Sequence, residues 1–368
     1  MGKERNSNFE LLRIVCMFFI VLHHFSIHGI ATNGNFVAFK GSFGNLFVAE
    51  LLASLGKPAV MIFVFISGFY LINSKFKLKR ILNLLWKVFT YSVLILLLVW
   101  LLQIGNLSLK NIVVSFLPTS YGAYWFITDY VILSLFVPFI NKFILSSDRR
   151  FFEMFILTLW LVSSLIPTFL AKSALSNNEL LLFLLFYSVG AYIRLYITDR
   201  VELKKFAKYF TLIGSLALFG GIVVLNILSL ISSRNIFSRS AMHLTTIDST
   251  VALIFAIGVF LYFTSRPKFS SAIINVISAS SLAVYIISDN PLLRGVIWQS
   301  IFYVNVNSQT MNPWMLLLYG LMSTTLIYIF CTIIDIIKLK VLDTWLNPIK
   351  LLNENTVDNL YKKFIVHK

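Results

Sequence analysis

The chain has 368 residues, of which 58% are hydrophobic and 12% charged, and its mean hydropathy is +0.84. Soluble globular chains carry about 25% charged residues, so the composition excludes a soluble fold and leaves a membrane protein. The net charge of +16 sits in short loops between apolar runs, which makes it a topology signal rather than a nucleic-acid footprint.

A window of about 19 residues predicts ten spans, at 9–29, 51–73, 84–104, 122–143, 151–171, 179–197, 209–231, 245–264, 272–290 and 313–337. Each approaches the ~20 residues that cross a ~30 Å hydrocarbon core. With the N-terminus inside, the inner loops collect 22 Lys and Arg and the outer loops six. That asymmetry predicts an all-α polytopic protein with both termini cytoplasmic. The expected organisation is one ten-helix domain over 1–348 and a basic cytoplasmic tail over 349–368, suited to the anionic inner leaflet. Phe9–Gly29 lacks the small-residue cleavage site of a signal peptide. Cys16 and Cys331 lie inside apolar runs and read as packing residues.

The first span, FELLRIVCMFFIVLHHFSIHG, carries Glu10, Arg13, His23 and His24. Ionisable groups inside a membrane are expensive and mark candidate functional sites. Arg13 and His24 are eleven residues apart, which closes three helical turns with only about 20° left over. They share one helix face, about 16 Å apart along the axis. Arg13 reads either as a snorkelling residue or as a ligand-handling cation, and His24 either as an interfacial histidine or as a reactive one. His23 points about 100° away from His24. Only His24 and His28 share a face, so no metal is expected.

The second span holds Ile62–Tyr70, IFVFISGFY, in which Ser67-Gly68 permits close helix approach. Leu46–Leu55 before it reads as a separate interfacial helix. Lys75, Lys77, Lys79 and Arg80 follow, either as ordinary inside-loop charge or as a phosphate clamp. The fourth span opens with Tyr124 and Trp125 at the outer boundary and Asp129 slightly deeper. Asp248 and Asp289 sit near outer ends of their spans and Asp335 near an inner one, and the outer carboxylates either orient an imidazole or are solvated. Asn290-Pro291 predicts a break, with Leu292–Tyr303 as an interfacial piece.

Arg13 and His24 in the first span, the ISGFY turn with its basic run, YWFITDYVILSLFVPFIN, LFYSVGAYIRLY and SSLAVYIISDNP together resemble the membrane-bound acyltransferase 3 family, over most of the chain and in order. The likeness is to its polysaccharide O-acetyltransferase branch. What it implies is transfer of an acyl group, usually acetyl, from cytoplasmic acetyl-CoA to a hydroxyl of an envelope glycan, in a bacterial cytoplasmic membrane. Arg13 and His24 match the family's paired Arg and His. Lys77-x-x-Arg80 stands where relatives have an R-x-x-R motif, whereas Arg80-x-x-Asn83 does not match. Ser288 stands where relatives often have histidine.

On that reading Lys77, Lys79, Arg80 and Arg13 bind the CoA donor, and His24 is the general base, a task suited to an ordinary pKa near 6.5. His23, Tyr124, Trp125 and Asp129 are then the expected contacts of the glycan acceptor. A glycan or lipid-linked sugar transporter is the alternative, although no internal repeat of the transporter kind is visible. A polysaccharide polymerase would be expected to have larger outer loops than Pro291–Asn312.

Overall fold

The computed structural model describes every residue except 1–5, 32–35, 37–38, 105–106, 171–173, 177, 199, 233–239, 342–347 and 352–368. Lys3, Arg5, Lys172, Arg234, Arg239 and the tail beyond Leu351 therefore lie outside the described residues. Among the described residues, eight helices are long and apolar enough to cross a membrane. They are α1 (Ser7–Ile30), α2 (Phe43–Leu71), α3 (Leu78–Leu102), α4 (Trp125–Ser146), α5 (Arg149–Phe169), α6 (Glu179–Ile197), α7 (Leu203–Ser232) and, last in the chain, α10 (Pro313–Lys338). Two shorter apolar helices, α8 (Thr250–Ser265) and α9 (Ala272–Ser288), complete the set. The protein is an all-α polytopic membrane protein, as its composition predicts.

Helix starts follow the chemistry of the caps. Asn6, Ser42, Asp148, Asn178, Ser249 and Ser271 each accept a backbone N–H of the first turn that follows, satisfying groups that no intrahelical carbonyl can reach. Large apolar side chains such as Leu101, Leu216, Ile231 and Met322 stay exposed. In a membrane protein this surface faces acyl chains rather than water.

Helix α1 runs through the middle of the bundle, against α2, α8, α9 and α10. Small residues let helices cross closely where no hydrophobic effect drives them together. A Cβ at Gly68 of α2 would stand 2.1 Å from the Tyr187 carbonyl oxygen, and one at Gly190 of α6 would stand 2.2 Å from that of Phe65. The two helices thus touch backbone to backbone from both sides. Gly214 of α7 and Gly258 of α8 make a similar pair of approaches, to Phe255 and Thr211. Polar ties add to this. Asp335 of α10 is fully buried and accepts from Lys87 Nζ at 3.1 Å and from the Tyr91 hydroxyl, both on α3.

Two helix breaks, both expected from the sequence, position the site. Helix α2 is two helical segments, Phe43–Ala53 and Gly56–Leu71, as the Lys57-Pro58 break suggests. Its first segment packs inside the bundle rather than on an interface: Ala49, Glu50, Leu52 and Ala53 are buried, and Asn226 Nδ2 donates to Glu50 at 2.6 Å. Leu292–Tyr303 likewise folds back onto the protein. Trp298 is fully buried edge-on to Phe25. Gln299 Nε2 donates to the carbonyls of His28 and Gly29 at 2.7 and 3.0 Å. Those carbonyls belong to a π-helical turn, Phe25–Ile30, that widens the end of α1 directly after His24. π turns of this kind recur at functional sites.

Candidate active site

A cavity of about 430 Å³ lies between α1, α2, α4 and α9. Arg13, Met17, Ile20, His24, Ile27 and His28 form its α1 wall, at the spacing of a single helix face. Arg13 and His24 therefore share one chamber, as their eleven-residue separation predicts. Phe9 packs on Phe69 at 5.1 Å between ring centroids, so the Arg13 end of α1 lies beside the end of α2 that leads into the basic run. Met17 and Ile20 line the stretch between the two ionisable residues.

At the Arg13 end, one guanidinium nitrogen reaches both Glu10 oxygens, at 2.9 and 3.0 Å, and Ser278 Oγ of α9 donates to the same carboxylate at 2.6 Å. Arg13 is thus tied through Glu10 to α9. The three N–H donors on its other two nitrogens are free of this pairing and can meet a ligand. Beside this end is a second cavity, about 210 Å³, lined by Ser74, Lys75, Lys77 and Arg80. Leu84 and Tyr130 line both cavities, so the basic recess adjoins the main chamber. Lys79 lines neither, and Lys75 takes the place expected of it.

At the opposite end, Asp289 gathers three cationic or basic groups. Its carboxylate lies 3.1 Å from His28 Nε2, 3.9 Å from His24 Nε2 and 3.7 Å from an Arg294 guanidinium nitrogen. The His24 and His28 rings are 5.3 Å apart. His24 is buried, and its Nδ1 has no hydrogen-bond partner among the described residues. Its Nε2 faces the Asp289 carboxylate at a distance beyond a direct hydrogen bond. Ligand atoms of His24, His28 and Asp289 lie within 4.8 Å of one another, a donor set that suits a divalent ion. Arg294 already supplies a positive charge to that carboxylate.

His23 also lines the chamber, with its Nδ1 donating to the Ala53 carbonyl at 2.8 Å. This fixes its tautomer, and Nε2 is left as an acceptor. Trp125 contributes its indole to the wall, and Lys57 Nζ sits 4.3 Å above the centre of that ring.

Other expected site residues fall elsewhere. Tyr124 is fully buried and does not line the chamber: its hydroxyl donates to the Ile286 carbonyl at 3.2 Å and accepts from Asn290 Nδ2 at 2.7 Å. It braces the turn that carries Asp289, which leaves no ring face for a sugar. Asp129 is half-buried on α4 and lines neither cavity. Ser288 is fully buried behind Asp289 and is likewise no part of the wall.

A family model described as an acyltransferase domain matches residues 6–332. The chain belongs to the acyltransferase 3 family. No curated protein and no solved structure matches it. The matched region contains both cavities and every residue of the chamber named above. Membership makes the chain a membrane acyltransferase and displaces the transporter alternative. In this acyltransferase Lys57, Tyr285 and Arg294 are wall residues that the sequence reading passed over. Lys57 carried a usable signal, since it is a cation beside the apolar run of α2. Arg294 and Tyr285 carried none without the fold.

Proposed function

We propose that the protein transfers an acyl group, most simply acetyl, from acyl-CoA to a hydroxyl of a cell-envelope glycan, across a bacterial cytoplasmic membrane. The observation that carries this reading is a chamber with a basic recess at one end and a buried His–Asp pair at the other. Lys75, Lys77 and Arg80 would take the phosphates of CoA through charge-assisted bonds. Arg13 would hold a phosphate or a pantetheine carbonyl on its spare N–H donors. The pantetheine arm then lies along Met17 and Ile20, with the thioester carried the ~16 Å toward His24. The loop-charge asymmetry supports a cytoplasmic basic recess, on the side of acyl-CoA, with the His24 end toward the acceptor.

The chemistry follows from the groups at that end. His24 takes the acceptor hydroxyl proton on a ring nitrogen as its oxygen attacks the thioester carbonyl carbon. Asp289 steadies the imidazolium that forms, and His28 and Arg294 hold Asp289 in place. The tetrahedral intermediate collapses with cleavage of the C–S bond. The CoA thiolate leaves with the proton returned from His24, and the acyl group stays on the glycan oxygen. His23 Nε2 and the Trp125 face offer an acceptor and a stacking surface to the sugar.

The test is acyl transfer by protein purified in lipid nanodiscs, supplied with acetyl-CoA and host glycan, wild type beside His24→Ala. His24-dependent release of CoA with acetyl appearing on the glycan is the expected result. Equal turnover in folded His24→Ala would remove His24 from the reaction, and no turnover in folded wild type would overturn the acetyl-CoA reading.

A further inference from the structure

Two arginines and one lysine line the chamber, and the two arginines have carboxylate partners. Arg13 is paired with Glu10, and Arg294 lies 3.7 Å from Asp289. Lys57 has no carboxylate within ion-pair distance among the described residues, and its ammonium rests instead on the face of Trp125. A cation at a membrane-buried wall is costly without a counter-charge, and a cation–π contact offsets only ~0.5–2 kcal/mol of that cost. An unneutralised cation of this kind suits an anion that arrives with the ligand or forms during the reaction.

The location of Lys57 favours the second. Gly56, its neighbour, packs directly on His23: a Cβ there would stand 2.4 Å from the His23 Cβ. Lys57 therefore follows immediately on the residue that touches the ring next to His24, at the reactive end and away from the basic recess. It also sits directly after the joint between the two segments of α2. The acyl transfer proposed above develops negative charge on the thioester oxygen, and no group assigned so far would meet it. His24 and Asp289 handle the proton, and His23 Nε2 is an acceptor.

We propose that Lys57, held over Trp125, stabilises the oxyanion of the tetrahedral intermediate in the acyl transfer inferred above, an inference that rests on that reading. As the acceptor oxygen adds, the carbonyl π electrons move onto oxygen and are met by the Lys57 ammonium. When the C–S bond breaks, the electrons return to the carbonyl and Lys57 is again without an anion. A cation that finds its partner only in the transition state lowers the barrier without tightening ground-state binding.

The experiment compares wild type, Lys57→Met, Lys57→Arg and Lys57→Ala in nanodiscs with acetyl-CoA and host glycan. It follows kcat, both KM values and the calorimetric affinity for CoA. Lys57→Met is expected to lose ~10²–10³-fold in kcat, the usual cost of one oxyanion donor, with KM and CoA affinity within about twofold. Lys57→Arg should recover part of the loss. Added ethylammonium should restore part of the rate in Lys57→Ala, a rescue that a misfolded variant would not give. Retained kcat in Lys57→Met, or a rise in either KM with kcat unchanged, would overturn the assignment, the latter by making Lys57 a ground-state anion binder. If folded wild type gave no transfer at all, the acyl-transfer reading itself would fail; a Lys57-independent but His24-dependent transfer would sink only the role of Lys57.

Discussion

Replacing Asp289 by Asn removes one negative charge at nearly constant volume and tests whether the carboxylate supports the imidazolium of His24. Its oxygen lies 3.9 Å from His24 Nε2. Two unit charges about 4 Å apart interact by about 4 kcal/mol at an effective dielectric of about 20. If the full imidazolium charge is present in the transition state, that loss amounts to about a thousandfold in rate at 1.36 kcal/mol per decade. Arg294 also loses its partner and adds its own repulsion, so the figure is not lowered by the neighbouring cation. The assay is single-turnover transfer from acetyl-CoA in nanodiscs, with a thermal melt to confirm the fold and CoA affinity measured separately. A fall of ~10²–10³ in kcat with CoA affinity unchanged is expected. Activity within threefold of wild type, in folded protein, would refute an electrostatic role for Asp289 and leave it a structural partner of His28.

Arg13→Lys should abolish transfer although charge is kept, because a lysine cannot both pair with Glu10 and present a planar fork to the donor; a KM for acyl-CoA within threefold of wild type would contradict this. The double variant Lys77→Gln/Arg80→Gln should raise the acyl-CoA KM at least tenfold with kcat little changed, and the salt dependence of that KM should weaken, as measured between low and high ionic strength. Gly68→Ala should destabilise the bundle by ~1–3 kcal/mol, the usual cost of overpacking, because its new Cβ meets the Tyr187 carbonyl. An unchanged melt in detergent would show that the contact relaxes freely.

Much of the architecture could be read from residue patterns, because a helix in lipid must be long, apolar and nearly uncharged. The shared face of Arg13 and His24 was legible for the same reason: both belong to one continuous helix whose period is fixed. What stayed hidden depends on partners far away in the chain. Asp289 meets His28 across 261 positions, and only the break after Ser288 and the return of Leu292–Tyr303 bring them together. Tyr124 and Trp125 are adjacent aromatics at a predicted boundary, yet one is a buried brace and the other a chamber wall. Periodicity cannot divide such a pair, because which ring faces the cavity is set by the packing of α9. Lys57 resembled a span boundary because it precedes a proline, and its role over Trp125 emerges only when α2 and α4 are placed side by side.

The reciprocal glycine contact between α2 and α6 bears on how a reaction can span a bilayer. With Gly68 and Gly190 each against the other helix's carbonyl, a slip of one residue, about 1.5 Å along the axis, would bring a side-chain-bearing position against backbone oxygen. The pair behaves as a welded strut rather than a sliding bearing. Helices α2 and α6 are thereby held in one register. On the acyl-CoA reading proposed above, the travelling part is the donor itself, whose flexible tether passes along the chamber with its acyl end toward His24.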